Sequence, residues 1–101
     1  MSEPSELMEE VLDEVRAERD RQDRMWGVQD HHPIAWIAIL GEEKGECDRS
    51  VLENDYENLE KELVQVAAVA VAAVESIRRR DLGRAEIESW QEALGLGRNR
   101  S

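Results

Sequence analysis

Phenylalanine is absent from this chain of 101 residues, cysteine occurs once and proline twice. A lone thiol, Cys47, cannot close an intramolecular disulfide, so the disulfide-stapled secreted scaffolds are excluded. With no Phe, three Trp and one Tyr, the core has to be built mostly from Ala, Val, Leu and Ile. Long apolar runs are also missing. The most apolar stretch, Leu63 to Val74, is too short to span a bilayer: as a helix it covers about 18 Å, against a hydrocarbon core of about 30 Å. Basic residues are scarce, 13 against 24 acidic ones, which leaves a net charge of −11. Such a chain lacks the Lys and Arg surplus that neutralises a nucleic-acid duplex or an anionic membrane surface. Met1 to Glu10 shows neither the basic nor the apolar region of a signal peptide. A cytoplasmic location is therefore expected, with no membrane partner and no nucleic-acid duplex.

What remains is a chain 41 % hydrophobic and 37 % charged, too apolar for a disordered acidic tail. No internal repeat and no strand-like alternation is present. The expectation is one all-α domain over residues 1–101, a helical bundle of about four helices.

The first helix is predicted from about Ser5, the candidate N-cap, to Met25, with Leu7, Val11 and Val15 at spacing four beside Met8 and Leu12. Trp26 to Pro33 reads as a loop, because Gly27 and Pro33 interrupt the helical pattern. A second helix is predicted from after Pro33 to about Leu52. Trp36, Ile39, Leu40, Cys47 and Val51 form its apolar side, with Glu43 in the middle. Gly41 and Gly45 each cost this helix up to about 1 kcal/mol relative to Ala. Their spacing of four suggests a face that another backbone or a ligand could approach. A third helix is predicted from about Asp55 to Arg80, with Leu59, Val66, Val69, Ala73 and Ile77 on one face and Glu62 among them. A short fourth helix, about Arg84 to Leu94, carries Ile87, Trp90 and Leu94 and stops at Gly95 and Gly97, before a frayed tail from Arg98.

The chemistry-bearing pattern is Glu42-Glu43-x-x-Glu46. Two carboxylates three apart on a helix are neighbours and can share one hard divalent cation. Glu is so frequent here that the pattern alone could be a solvated acidic face. Glu43 and Glu62, however, both fall within apolar stripes, and a core-facing carboxylate is costly unless it is paired or holds a metal. A metal cage and structural pairing with Lys44, Lys61 or an Arg are both open on these features. Trp26 and Trp36 could stack on a base or simply pack. His31 and His32 could cap, or touch a phosphate. Arg78, Arg79 and Arg80 suit a helix C-terminus electrostatically, or could steer a phosphate.

The arrangement Glu42-Glu43-x-x-Glu46, fifteen intervening residues, then Glu62-x-x-Gln65 resembles the all-α nucleoside triphosphate pyrophosphohydrolases of the MazG-like group, whose pattern is EExxE followed by ExxD. The flanks Arg21-Gln22-x-x-x-Trp26-Gly27-x-Gln29-x-His31 and Glu62 to Ala72 are similar to a MazG-like subgroup of actinobacteria and their phages. The resemblance covers about Glu18 to Arg80. It implies a helical dimer or tetramer that uses Mg²⁺, or Mn²⁺, to split a nucleotide into a monophosphate and pyrophosphate. It also implies that Glu43, Glu46, Glu62 and Gln65 are metal ligands. Glu42 would be an outer ligand or a water-positioning base, completing a catalytic set of Glu42, Glu43, Glu46 and Glu62. Trp26, Lys44, Lys61 and His31 would face the substrate. Gln65 departs from the family's Asp and brings a carbonyl oxygen without a charge. That departure keeps a second reading open, a non-catalytic module that binds a nucleotide or a protein.

The run Leu63 to Val74 is apolar nearly all round, broken only by Gln65, and a helix of that kind has to be covered on every side. One short chain has little with which to do so. Light scattering at micromolar concentration is expected to return at least a dimeric mass; a stable monomer near 11.6 kDa would refute the interface argument.

Overall fold

A computed structural model describes residues 3–80 and 91–95. Three long helices account for most of them: α1 (Pro4–Trp26), α2 (Pro33–Leu52) and α3 (Tyr56–Arg80). No strand occurs among the described residues. The architecture is an all-α helical bundle.

Each helix begins where local chemistry permits. Pro4 occupies the first turn of α1, where its missing N–H is one that no intrahelical carbonyl would have used. The N-cap is Glu3, not Ser5, and its side chain makes no capping bond; proline's preset φ stands in for the hydroxyl expected at Ser5. Gly27 ends α1 at φ 73°, with its N–H donating to the Asp23 carbonyl at 2.8 Å. Pro33 is likewise the first residue of α2 rather than the last of the loop, and the His32 ring nitrogen Nδ1 accepts from the Ile34 N–H at 3.3 Å. Between α2 and α3, Asn54 takes the left-handed conformation at φ 56°, which Asn tolerates better than most side chains. Asp55 then caps α3, its Oδ1 accepting from the Asn58 N–H at 3.0 Å.

α2 and α3 form an antiparallel hairpin. At one end Trp36 packs on Val69 and Ala73, with Ile39, Leu40 and Ala72 around them. At the other end Asn58 Nδ2 donates to the Ser50 hydroxyl at 2.8 Å, and that hydroxyl donates to the Glu46 carbonyl at 3.2 Å. α1 lies along α3 and runs parallel to it. Val11 and Val64 line one groove, and further along Arg19 donates to Glu75 Oε1 at 2.6 and 3.0 Å. Each long helix thus contributes to one small core, in which Val15, Trp36, Cys47, Ala68, Val69 and Ala73 are the buried apolar residues.

The apolar run of α3 is covered on one side only. Ala68, Val69 and Ala73 are buried, whereas Leu63, Val71 and Val74 are exposed, as are Leu7, Met8, Val11 and Leu12 on α1. Val51, expected on the inner side of α2, is also exposed; its neighbour Ser50 takes the position facing α3, and one residue along a helix turns the side chain by about 100°. A side chain added at Gly41 or Gly45 would meet nothing within 4 Å, so the close approach anticipated from their spacing does not occur. No described helix is long and apolar enough to cross a membrane. Of the predicted fourth helix, residues 91–93 are helical and Gly95 turns the chain at φ 73°. Its start at Arg84, the packing of Ile87 and Trp90, and the tail from Arg98 lie outside the described residues.

Candidate functional site

Between the two ends of the α2–α3 hairpin, three polar side chains meet. Glu43 from α2 and Glu62 and Gln65 from α3 are all half-buried. With its NH₂ turned inward, Gln65 donates to Glu43 Oε2 at 3.3 Å and to Glu62 Oε2 at 3.1 Å. The helix period explains the meeting: Glu62 and Gln65 are three apart and therefore adjacent on α3, on the face that α2 covers. Burial raises the Glu43 carboxyl above the ordinary glutamate range, and the neighbouring charges of Glu62, Glu46, Glu18 and Glu42 raise it further. Cys47, one turn beyond Glu43, is a buried thiol held in its neutral form first by burial and then by the Glu62 charge.

Two of the three, Glu43 and Gln65, open onto a cleft of about 290 Å³ formed by all three helices and the α1–α2 loop, while Glu62 does not line it. Glu43 and Gln65 line it, together with Trp36 and Val69 at its apolar base and Trp26, Gly27 and Gln29 at its rim. α1 contributes Glu18, Arg21 and Gln22. Glu18 accepts two bonds from Arg21, at 2.7 and 2.8 Å, and one from Gln22 at 3.0 Å. The Arg21 hydrogen bond is the main reason the Glu18 carboxyl titrates below its ordinary value, against an opposing effect of burial. The Arg21 guanidinium also stands 6.0 Å from the centre of the Trp26 ring, within cation–π range. Trp36 is 5 % exposed, and its indole N–H has no acceptor among the described residues.

The residues singled out from the sequence divide into three groups. Glu43, Glu62 and Gln65 come together, and Trp26 lines the same cleft as Glu43 and Gln65. Glu42 and Glu46 stay on the exposed flank of α2, where Glu46 Oε2 lies 3.7 Å from Arg49 Nη1. Lys44, Lys61 and His31 do not line the cleft. Lys44 pairs with Asp48 at 3.0 Å on the outer face of α2, one helical turn along. Lys61 lines the separate groove between α1 and α3. His31 packs edge-on against Trp36, ring centres 4.8 Å apart, and its Nε2 sits 3.3 Å from Gln29 Oε1.

Sequence reasoning passed over Glu18 and Arg19 as lining residues, and it offered Arg79 only as one of three cations that could steer a phosphate. The signal for Glu18 was present, since Glu18, Arg21 and Gln22 at i, i+3 and i+4 share one helix face. Arg79 carries no such signal, because its contact is with a loop 49 residues earlier.

A hard divalent cation asks for oxygen donors in close array. Glu43, Glu62 and the Gln65 carboxamide supply that chemistry. Among the described residues, no three His, Cys, Asp or Glu side chains converge as a ready cation cage, so a full ligand set would need Glu46 to turn inward from its flank. No protein-family profile, curated protein or solved structure matches the chain.

The loop over the cleft is strapped to the end of α3. Arg79 donates to Asp30 Oδ1 at 2.8 and 3.2 Å and to the Gln29 carbonyl at 3.4 Å. The Arg79 guanidinium, helped by the Ser76 hydroxyl, holds the Asp30 carboxyl below its ordinary value. A depressed carboxyl favours the strapped form above the unfolded pKa and ceases to do so as pH falls through the folded pKa. Arg79→Met is expected to speed amide exchange across residues 28–32 while leaving residues 66–72 unchanged. The wild type should loosen in the same segment once pH drops below about 3.9, the ordinary aspartate value. Equal exchange in both proteins at neutral pH would show that the strap does not hold the loop.

Proposed function

We propose that this protein is a nucleotide pyrophosphohydrolase of the MazG-like type, acting on nucleoside triphosphates or related nucleotides with Mg²⁺ or Mn²⁺. Water would add across the bond between the α and β phosphates, giving a nucleoside monophosphate and pyrophosphate. The observation that carries the reading is the Gln65 amide within hydrogen-bond distance of both Glu43 and Glu62. Glu43 and Gln65, one from each half of the Glu42-Glu43-x-x-Glu46 and Glu62-x-x-Gln65 pattern, line a cleft large enough to admit part of a small molecule.

The residues have distinct tasks in this reading. Glu43, Glu62 and Gln65 hold the ion, with Glu46 closing on it from the α2 flank. A divalent ion bound there supplies charge neutralisation between carboxylate and phosphate, polarises the phosphoryl group and lowers the pKa of the attacking water. Glu42 positions that water from the outer side. Trp26 offers a π face at the rim, with Arg21 beside it. Arg19, Arg21 and Arg79 line the cleft while each is already paired with a carboxylate, so an entering polyphosphate would exchange with those partners rather than meet free cations.

The same reading includes assembly as a dimer or tetramer. Leu63, Val71 and Val74 on α3 and Leu7, Met8, Val11 and Leu12 on α1 are the apolar surface that a second copy would cover. The absence of a charge at Gln65 favours the other reading, a nucleotide-binding module without turnover.

One assay separates the two. Incubation with a panel of ribo- and deoxyribonucleoside triphosphates and Mg²⁺ or Mn²⁺ is expected to release pyrophosphate, and chelation should abolish the release. Glu43→Gln and Glu62→Gln are expected to lose turnover at least a hundredfold while keeping full helicity. Each should also hold or raise the metal-free melting temperature, because a like charge is removed. Binding without pyrophosphate release across the panel would favour the module, and wild-type turnover in either variant would remove these carboxylates from the mechanism.

A further inference from the structure

The terminal atom that Gln65 turns inward stands 3.3 Å from Glu43 Oε2 and 3.1 Å from Glu62 Oε2. What that atom is decides whether the contact attracts or repels. As nitrogen it donates to both carboxylates and spreads positive hydrogen-bond character between two negative groups. As oxygen it would be a third acceptor among acceptors, unfavourable unless a cation or a carboxyl proton lies between them. The spacing serves both cases. Donor–acceptor distances of 3.1 and 3.3 Å are long but acceptable hydrogen bonds. Adjacent oxygens around an octahedral ion with bonds of about 2.1 Å lie about 3.0 Å apart. An ionised aspartate or glutamate at this position could occupy only the second state, because it has no donor to offer.

We infer that the Gln65 carboxamide is a reversible plug, with its NH₂ facing Glu43 and Glu62 when no cation is bound and its carbonyl oxygen facing them when one is. This inference rests on the proposed metal site and adds to it a role for the residue that departs from the family pattern. Gln65 is a positioning residue in the metal-free protein: it bonds both carboxylates at once and offsets their repulsion. Reversal takes only rotation of the terminal amide about its last side-chain bond, with no movement of α2 or α3. The balance between the states is set by what lies between the carboxylates, so the site stays assembled before the ion arrives. A carboxylate at position 65 would bind the ion more tightly and leave the empty site in stronger repulsion.

Side-chain amide spectra of ¹⁵N-labelled protein test this without reference to turnover. In EDTA the two Gln65 NH₂ protons are expected downfield of ordinary glutamine values and slow to exchange with water. Addition of MgCl₂ should move them to ordinary positions with fast exchange. Gln65→Glu should melt several degrees below wild type in EDTA and show a larger Mg²⁺-induced rise, with at least tenfold tighter Mg²⁺ binding by calorimetry. Gln65→Met fills the same space without either polar face, and should lose both the EDTA stability and the Mg²⁺ response. Ordinary, fast-exchanging Gln65 protons in EDTA, with Mg²⁺ still shifting the resonances around Glu43 and Glu62, would overturn the plug and leave the metal site standing. No Mg²⁺-induced change around either glutamate would overturn the metal site and the reversal with it.

Discussion

Two like charges held face to face across the α2–α3 contact are the constraint around which this molecule is arranged. Glu43 is half-buried, and burial together with four neighbouring carboxylates pushes its acid toward the neutral form. Such a placement opposes folding, because removing a carboxylate from water is costly and a like charge nearby adds to the cost. The hairpin tolerates it by being fastened on either side. Trp36 on Val69 and Ala73 closes one end, Ser50 with Asn58 closes the other, and the Gln65 amide stands between the charges. With so few buried apolar residues to draw on, retaining this cluster argues for a role beyond stability.

α1 supplies what the hairpin lacks. Overall the chain carries a net charge of −11, yet the cleft beside the glutamates is lined by Arg19, Arg21 and Arg79. Their partners, Asp23, Glu75, Glu18 and Asp30, come from α1, α3 and the loop. Arg19 and Glu18 are mostly buried within these pairs while their partners stay half-exposed, and together the pairs place three guanidinium groups around one opening. The cleft therefore combines an acidic wall with a basic rim, a local distribution that net charge alone conceals.

Much of the fold was legible in the sequence, because helices announce themselves through periodicity and punctuation. Gly27, Pro33 and the Asn54-Asp55 turn mark the breaks to within a residue or two. The errors at the caps have one cause: proline at the first helical position starts α1 and α2 where a hydroxyl or a loop residue was expected. The convergence of Glu43, Glu62 and Gln65 was legible as well, since a polar residue in an apolar stripe points toward the neighbouring helix. Long-range polar contacts were not. Arg79 reaches Asp30, and Arg19 reaches Glu75, through geometry that only the packed helices define. Lys44 illustrates the reverse difficulty. Adjacency in sequence to Glu43 suggested a place in the site, but one residue along a helix turns a side chain by about 100°, and Lys44 ends beside Asp48 on the outer face.

The central claim is that Glu43 and Glu62 repel one another across the hairpin, a repulsion that the Gln65 amide offsets only in part when no cation is bound. A double-mutant cycle on metal-free stability measures this directly, using wild type, Glu43→Gln, Glu62→Gln and the double variant unfolded in urea with EDTA present. Neutralising either carboxylate removes the same repulsion, so the double variant should gain less than the sum of the two single gains. The shortfall is expected to be about 0.5–3 kcal/mol, the range for groups in contact. Strictly additive effects, or a gain in the double variant larger than the sum, would mean that the two carboxylates do not face each other in the folded protein.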